Sequence, residues 1–280
     1  MPIDPKQALG HELPATTHSW NADHVILYHL GVGAGEPDPT DPNELAYTYE
    51  QKLKVLPSFG VIPVFTLCAG MTRAPGLRFN PAMLLHGEQE IVLHEPLPPA
   101  ATVRSTGRIA EIWDKGKGAV VTVAAETTSD DGRKLCSNRF TAFIRGEGGF
   151  GGEPAHAAPE REPDHVLESP TRRSQALLYR LSGDKNPLHA DPAFAKLGGF
   201  ATPILHGLCS YGIVCKAVVD GVLGGDVTRV ASYGVRFAGV VYPGETLVTS
   251  VWNEGGRLVL AARTRERGTP VLANAAITLR

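Results

Sequence analysis

An aspartate, an asparagine and a histidine lie close together in the second half of the chain. Asp184, Asn186 and His189 surround an Asn-Pro step, and proline disfavours helix at the residue before it. A turn at this step can direct the carboxylate and the imidazole at one point. Such a pair can hold and polarise a water molecule, because imidazole changes charge near neutral pH. The spacing therefore predicts a proton-transfer site in which Asn186 orients the water or the imidazole.

A long apolar segment that follows this turn predicts a helix beginning at His206-Gly207. The first N–H groups of a helix lack partners within it and lie at the positive end of its dipole. Gly207 has no side chain, so a ligand can approach its backbone closely. Its N–H can donate to a carbonyl oxygen on which negative charge develops, as in an oxyanion hole. We expect His206 to cap the helix or to support the acid–imidazole pair.

Two other interpretations of these residues stay open. In the first, Asp184 caps a helix and His189 is a surface side chain. In the second, both side chains join Asp191 and His206 in a metal site. Asp191 precedes a proline, however, and that dipeptide is typical of a helix N-cap with proline at the first helical position. We therefore predict neither a metal nor any other cofactor.

The polar turn must be positioned by helices packed on antiparallel strands. In the first half, residues 1–20 predict an extended segment, 21–31 and 57–70 predict helices, and 31–43 predict a long loop. Period-two alternation then predicts four strands, over residues 88–93, 102–113, 118–128 and 134–145. The second half repeats the order, with helices over 171–181, 193–197 and 207–222 and strands over 228–237, 245–252, 258–264 and 271–279. The fold class is therefore α+β.

The two halves also resemble each other in residues. An alignment of the halves matches Ile26-Leu-Tyr-His-Leu30 with Leu177-Leu-Tyr-Arg-Leu181. Each segment is followed by a glycine-containing loop that ends in Asp-Pro. The alignment places Gly33 against Asp184 and Asp38 against His189. Only the second half therefore keeps the polar pair. We predict a duplicated unit whose first copy, residues 1–145, is non-catalytic and binds the substrate, and whose second copy, residues 171–280, is catalytic. The Gly/Pro-rich segment 146–170 predicts a linker.

Composition excludes several classes of function. The 280 residues carry a net charge of −2 and are 42% hydrophobic, so we expect a large core and no binding of nucleic acid. No apolar run reaches membrane-spanning length and no signal peptide begins the chain. No two of the four cysteines are spaced as CxxC. We therefore expect a cytoplasmic protein without a membrane partner.

Three segments together resemble a known enzyme family. Tyr179-Arg-Leu-Ser-Gly-Asp-Lys-Asn-Pro-Leu-His189 resembles the hydratase 2 motif of the MaoC-like (R)-specific enoyl-CoA hydratases. Ala201-Thr-Pro-Ile-Leu-His-Gly-Leu208 and Val235-Arg-Phe-Ala-Gly-Val-Val-Tyr-Pro-Gly-Glu-Thr-Leu247 look like its next two blocks. The resemblance implies a double hot-dog fold, in which each unit is a helix wrapped by an antiparallel sheet. It also implies hydration of trans-2-enoyl-CoA to (3R)-3-hydroxyacyl-CoA in the β-oxidation of fatty acids or sterol side chains.

The same resemblance assigns roles to single residues. It implies that Asp184 and His189 are the catalytic pair, that Asn186 supports them and that the Gly207 N–H binds the thioester oxygen. It further implies a stand-alone bacterial form that works as a homodimer. We expect substrate contacts in the acyl-CoA groove from the following residues: His86, Gly87, Glu88, Glu50 and Arg236. Strand structure, solvation or a cross-strand ion pair explains these five residues equally well.

Three rival functions are compatible with the sequence. A dehydratase acting on a hydroxyacyl group carried by acyl carrier protein would use the same pair of side chains. A hot-dog acyl-CoA thioesterase would instead release free thiol. A non-catalytic acyl-CoA-binding partner needs neither side chain, and the presence of both Asp184 and His189 argues against it.

Overall fold

The structure is a computed structural model that describes residues 3–80, 83–114, 118–146 and 161–280. Within these residues ten strands form one antiparallel sheet. They are β1 (Glu12–Trp20), β2 (Leu84–Leu93), β3 (Ala101–Asp114), β4 (Gly118–Ser129), β5 (Lys134–Arg145), β6 (His165–Pro170), β7 (Val230–Phe237), β8 (Thr246–Asn253), β9 (Arg257–Thr264) and β10 (Pro270–Leu279). Their order across the sheet is β1-β3-β4-β5-β2-β7-β10-β9-β8-β6. Each half therefore contributes five neighbouring strands, and β2 and β7 join the two halves.

Helices pack on one side of this sheet. They are α1 (Pro5–Ala8), α2 (Ala22–Gly31), α3 (Pro42–Thr48), α4 (Phe65–Ala69), α5 (Gln175–Tyr179), α6 (Pro192–Leu197) and α7 (Gly207–Leu223). Short 3-10 helices occur at residues 57–61, 70–73, 180–182, 187–189 and 227–229. Among the described residues, no helix combines the length and apolarity that crossing a membrane requires. The predicted α+β class, with a helical layer on an antiparallel sheet in each half, is confirmed.

Helix α7 is the central helix of the second half. Twelve of its residues are buried, which fits a helix that is apolar on nearly all sides. It ends at Gly224, whose φ of 66° is the left-handed conformation that glycine adopts without strain. The corresponding segment of the first half is broken into the 3-10 helix 57–61, α4 and a second 3-10 turn. Pro63 lies at this break, because proline has no N–H for the helical ladder.

The two halves share one core. The main apolar cluster contains residues from α2, the 57–61 turn, β2, α7 and the strands of the second half. Two buried tyrosines, Tyr28 and Tyr179, lie 5.9 Å apart between ring centroids where α2 meets α5. These are the two residues on which the alignment of the halves was anchored. The equivalent tyrosines of the two sequence repeats therefore contact each other in the fold.

A buried ionic cluster fastens α3 to α7. The ammonium of Lys216 lies 2.7 Å from a Glu44 carboxylate oxygen and 2.8 Å from one of Asp220. The Tyr47 hydroxyl donates to the other Asp220 oxygen at 2.7 Å, and its ring lies 5.1 Å from the same ammonium. Only 8% of Lys216 is exposed, so these partners, rather than water, stabilise its charge.

Two expectations about chain segments need correction. The predicted linker 146–170 is wrong at its end, because residues 165–170 form β6 and pair with β8 along their whole length. The glycines and prolines earlier in that segment led to the prediction of a linker over its whole length. Residues 147–160 lie outside the described residues. The lead-in 1–20 is extended as predicted only from residue 12, where β1 pairs with β3; residues 5–8 form α1.

Candidate active site

The turn that carries the polar pair is built by its own side chains. The Asp184 carboxylate accepts a hydrogen bond from the Asn186 N–H at 3.0 Å. The side-chain oxygen of Asn186, Oδ1, accepts a hydrogen bond from the Leu188 N–H at 3.0 Å and so caps the 3-10 turn 187–189. Such local bonds are the reason why Asp and Asn favour turns. Asn186 therefore shapes the turn through its side-chain oxygen, and its orientation of the water or the imidazole stays a prediction.

His189 is buried, with 8% of its surface exposed. Its Nδ1 lies 2.9 Å from the Ile204 carbonyl oxygen, which can only accept, so Nδ1 carries the proton in the neutral ring. Nε2 is then left with a lone pair for a reactant. Burial lowers the pKa of His189, and the nearby Arg180 charge acts in the same direction, against the opposing effects of the Ile204 bond and Asp184. The ring is thus poised as a neutral proton acceptor.

His206 packs directly on this imidazole. The two ring centroids are 3.7 Å apart, and the His206 Nε2–H donates to the backbone carbonyl oxygen of Asp184 at 3.2 Å. Its Nδ1 is buried and has no partner in the described part of the chain. Burial, together with His189, lowers the pKa of His206 to about 2. His206 is the N-cap residue of α7, as expected, but its side chain makes no bond to the helix and contacts the Asp184 turn and His189 instead.

Gly207 is the first residue of α7. Its N–H makes no hydrogen bond within the described part of the chain, whereas the N–H groups of Cys209 and Ser210 both donate to the His206 carbonyl. A side chain here would place its Cβ 3.2 Å from the Phe237 ring, closer than ordinary contact. The site therefore offers a free N–H at the positive end of a 17-residue helix.

The pair and this N–H line a common cavity of about 1210 Å³. Asp184, Asn186, His189 and Gly207 contribute from the second half. The first half contributes apolar side chains, which include Phe65, Ala69, Met71, Leu84, Leu85 and Phe140, together with charged ones such as Glu90, Glu111 and Arg139. One cavity thus joins a polar reaction point to an apolar groove, the general form of a site for an amphipathic small molecule.

The junction of β2 and β7 is a second part of the cavity wall. The two strands pair from Glu88 and Arg236 to Val92 and Ser232, and the register of β2 shifts between His86 and Glu88. At this point the His86 ring packs 4.2 Å from Phe140 and 4.7 Å from Phe237 between centroids. Its Nε2–H donates to the Glu88 carbonyl, and burial lowers its pKa to about 3.

The structure brings most of the five expected substrate contacts together. His86, Gly87, Glu88 and Arg236 all line the cavity. Glu50 does not; it is exposed after the end of α3 and lies outside the lining. Two contacts of the site were not predicted: the Ile204 carbonyl that fixes the imidazole and the Phe237 ring beside Gly207. A backbone acceptor carries no residue signature, so nothing in the sequence could reveal the first.

A metal ion was the alternative for these side chains. One potential ligand atom each from Asp184, His189 and His206 lies within 4.8 Å of the others. One nitrogen of each ring donates to a carbonyl, which leaves the other nitrogen available, but the two rings pack face to face with centroids 3.7 Å apart and planes at 30°. Ligands of a tetrahedral metal converge with their lone pairs on one point. The stacked geometry favours the proton-transfer interpretation.

Comparison with known proteins identifies the family of this site. The MFE-2 hydratase 2 N-terminal domain matches residues 18–146 and the MaoC like domain matches residues 154–275. Enoyl-CoA hydratase ChsH3 of Mycobacterium tuberculosis is 48% identical over 274 residues, which cover 95% of this chain and 96% of that protein. The chain belongs to the MaoC-like hydratase 2 family. The resemblance stated from its motifs is thereby confirmed.

Solved structures support the same fold. A MaoC-like dehydratase from Phytophthora capsici superposes with a TM-score of 0.87 at 34% identity, over 99% of this chain and 98% of that one. A Mycobacterium tuberculosis protein described as having a double hotdog fold gives a TM-score of 0.62 at 13% identity, over 100% of this chain and 98% of that one. The second likeness concerns the fold alone. The predicted double hot-dog fold is confirmed.

Proposed function

We propose that this protein adds water to trans-2-enoyl-CoA to give (3R)-3-hydroxyacyl-CoA in β-oxidation. The observation that carries the proposal is one cavity holding Asp184, the free Nε2 of His189 and the unpaired N–H of Gly207. Hydration of an enoyl thioester needs a donor for the carbonyl oxygen and a group that moves protons at the adjacent carbons. The hydratase names of the relatives agree with this chemistry.

The reaction follows from these three points. The Gly207 N–H donates to the thioester oxygen and so draws electrons away from the β-carbon. Water held between the Asp184 carboxylate and the His189 Nε2 adds its oxygen to that carbon. The pair takes one proton from the water and returns one to the α-carbon, so the atoms balance. We propose that no cofactor takes part, because the N–H and the pair account for both halves of the addition.

The shape of the cavity supports an acyl-CoA with a long or bulky acyl group. Its reaction point lies in the second half, and both halves contribute apolar side chains to its walls, those of the first half including Phe65, Met71 and Phe140. We propose that residues 1–145 form the acyl-binding unit and residues 171–280 the catalytic unit. Rates with short-chain, long-chain and steroid enoyl-CoAs, followed by loss of enoyl absorbance, test this division. Equal kcat/KM for all three would contradict it.

The central test replaces the two catalytic side chains singly. We expect Asp184→Asn and His189→Gln to lower kcat at least about 100-fold while circular dichroism stays unchanged, because each removes a proton-transfer group but little volume. Two exposed residues, Asp130 and His165, provide matched controls in Asp130→Asn and His165→Gln. Near-wild-type turnover in either site variant would refute the proposal.

The same experiment separates the rival functions. A thioesterase would release free CoA thiol, which a thiol reagent detects. A dehydratase for acyl carrier protein would turn over the carrier-bound substrate in preference to the CoA ester. A non-catalytic partner would bind enoyl-CoA without loss of enoyl absorbance. Hydration of the CoA ester without thiol release is the result expected here.

We also propose that the chain acts in the cytoplasm as a homodimer. Three exposed leucines, Leu177, Leu181 and Leu197, lie on the helices flanking the catalytic turn and support a protein–protein contact there. Sedimentation equilibrium measures the mass directly. A monomer at all concentrations tested would contradict the dimer and leave the activity proposal standing.

A further inference from the structure

Arg180 is a charged residue beside the catalytic turn to which the reaction assigns no role. It begins the 3-10 turn 180–182 and is not among the residues lining the substrate cavity. Its Nη2 donates to the Lys185 carbonyl oxygen at 3.1 Å. Lys185 stands between Asp184 and Asn186, so the bond holds the middle of the segment that carries the acid. Arg180 thus contacts the backbone of the site and not the substrate.

The guanidinium lies in a partly dry environment. Its Nε is buried and has no partner within the described ranges. A charge in such a place is weakly screened and acts on its neighbours more strongly than a surface charge does. The charged or titratable groups that bear on the His189 imidazole are Asp184 on the same turn, His206 stacked on it from the start of α7, and Arg180. The guanidinium also disfavours protonation of His206.

The first half contains a matching arrangement. His29 follows Tyr28 as Arg180 follows Tyr179, and the two tyrosine rings are in contact. The His29 Nδ1–H donates to the Tyr47 carbonyl at 2.8 Å, and its Nε2 accepts from the Leu56 N–H at 3.2 Å. In both halves, therefore, the residue after the buried tyrosine hydrogen-bonds backbone further along the chain through its side chain. In the catalytic half this residue is also a permanent cation.

We propose that Arg180 is a positioning residue that fixes the turn between Asp184 and Asn186 and adds to burial in favouring the uncharged His189 imidazole. A neutral imidazole is the form that can accept a proton from water. The hydrogen bond to Lys185 holds the backbone beside the carboxylate, and the positive charge disfavours a second cation on the ring. The kinetic part of this inference rests on the proposed hydratase function, but the protonation part does not.

The test compares three variants of the full-length protein. Arg180→Gln removes the charge, Arg180→Lys keeps the charge but loses the planar guanidinium, and Arg104→Gln removes an exposed arginine outside the cavity lining. NMR titration of the imidazole resonances, with the His189 signal assigned by its absence in His189→Gln, gives the His189 pKa without any turnover. The pH dependence of kcat/KM is the second measurement.

The expected results differ among the variants. Arg180→Gln should raise the His189 pKa by about half a unit or more, because a nearby cation is lost. It should therefore lower kcat/KM more at pH 6 than at pH 8. Arg180→Lys should keep the wild-type pKa but lower kcat several-fold at every pH, because the turn loses its fixed bond. Arg104→Gln should match wild type in both measurements.

Several results would overturn the inference. One is the same His189 pKa in Arg180→Gln and Arg104→Gln. Another is wild-type kcat in Arg180→Lys, which would show that the bond to Lys185 does not position the turn; this result is available even if Arg180→Gln fails to fold. If the wild-type protein lacks hydratase activity, the proposed function fails, while the pKa comparison still decides the role of the charge.

Discussion

Replacing His29 by glutamine tests how a buried neutral histidine limits stability in acid. His29 has 0% of its surface exposed and uses both ring nitrogens, one as donor to Tyr47 and one as acceptor from Leu56. Protonation would put a second N–H against the Leu56 N–H in a dry site. Burial accordingly lowers the pKa of His29 from 6.5 to about 4, although the Tyr47 bond opposes the change.

The sign of the effect follows from proton binding. Between about pH 4 and pH 6.5 the unfolded chain holds more protons on this residue than the folded chain does, so stability rises with pH. The contribution is present above the unfolded pKa and is lost as the pH falls towards the folded one. For a single group with these two pKa values, the loss between pH 7 and pH 5 is about 2 kcal/mol.

His29→Gln abolishes this titration. The side-chain oxygen of the introduced glutamine can still accept from the Leu56 N–H, but the bond to Tyr47 is lost. We therefore expect the variant to be less stable than the wild type at pH 7 by about 1 to 2 kcal/mol. The difference in free energy of unfolding between the variant and the wild type should vanish by pH 5, because only the wild type loses about 2 kcal/mol over this interval. Urea unfolding at both pH values gives the two free energies.

The control for this experiment is His165→Gln, which removes an exposed histidine of β6. Its gap to wild type should be small and the same at pH 7 and pH 5. A His29→Gln gap that stays constant over the same interval would refute the reasoning, because it would show that His29 does not titrate differently in the two states.

Two further substitutions have outcomes set by single contacts. Lys216→Met leaves Glu44 and Asp220 without their shared cation, and we expect a loss of about 3 kcal/mol in urea unfolding; Lys134→Met, in an exposed pair, should cost less than about 1 kcal/mol, and equal losses would contradict the argument. Gly207→Ala puts a methyl 3.2 Å from an aromatic ring beside the thioester donor, so kcat/KM for enoyl-CoA should fall about tenfold or more with little change in unfolding. Unchanged kcat/KM would contradict the expectation that the thioester oxygen needs an open, side-chain-free approach to this N–H.

Regular alternation made the strands easy to predict from sequence. The predicted strand 134–145 is observed with the same ends, because its turns are marked by Asp-Gly and by glycine after Arg145. Strand β6 was missed, since its alternation is short and its support comes from β8, far along the chain. Local sequence carries turn chemistry and periodicity, but it does not carry the identity of a distant partner.

The same limit explains what could be predicted of the site. Asp184, His189 and Gly207 were found because a turn and a helix start position them locally, and the cavity joins all three. The stacking of His206 on His189 and the orientation fixed by the Ile204 carbonyl are contacts across space. Such contacts become visible only when α7 is packed against the turn. Glu50 was predicted as a substrate contact without a motif of its own, and the fold leaves it exposed.

The first half has lost more than two side chains. Gly33, aligned with Asp184, has a φ of 96°, a conformation that suits glycine and disfavours aspartate. Asp38, aligned with His189, accepts from both the backbone and the hydroxyl of Thr40 in an exposed turn. The 3-10 helix of this half begins with Pro57, which has no N–H where the catalytic half presents Gly207. Acid, imidazole and oxyanion donor are thus all replaced, each by a residue suited to a different local structure. These three differences support the proposal that the first half is non-catalytic and contributes walls of the shared cavity.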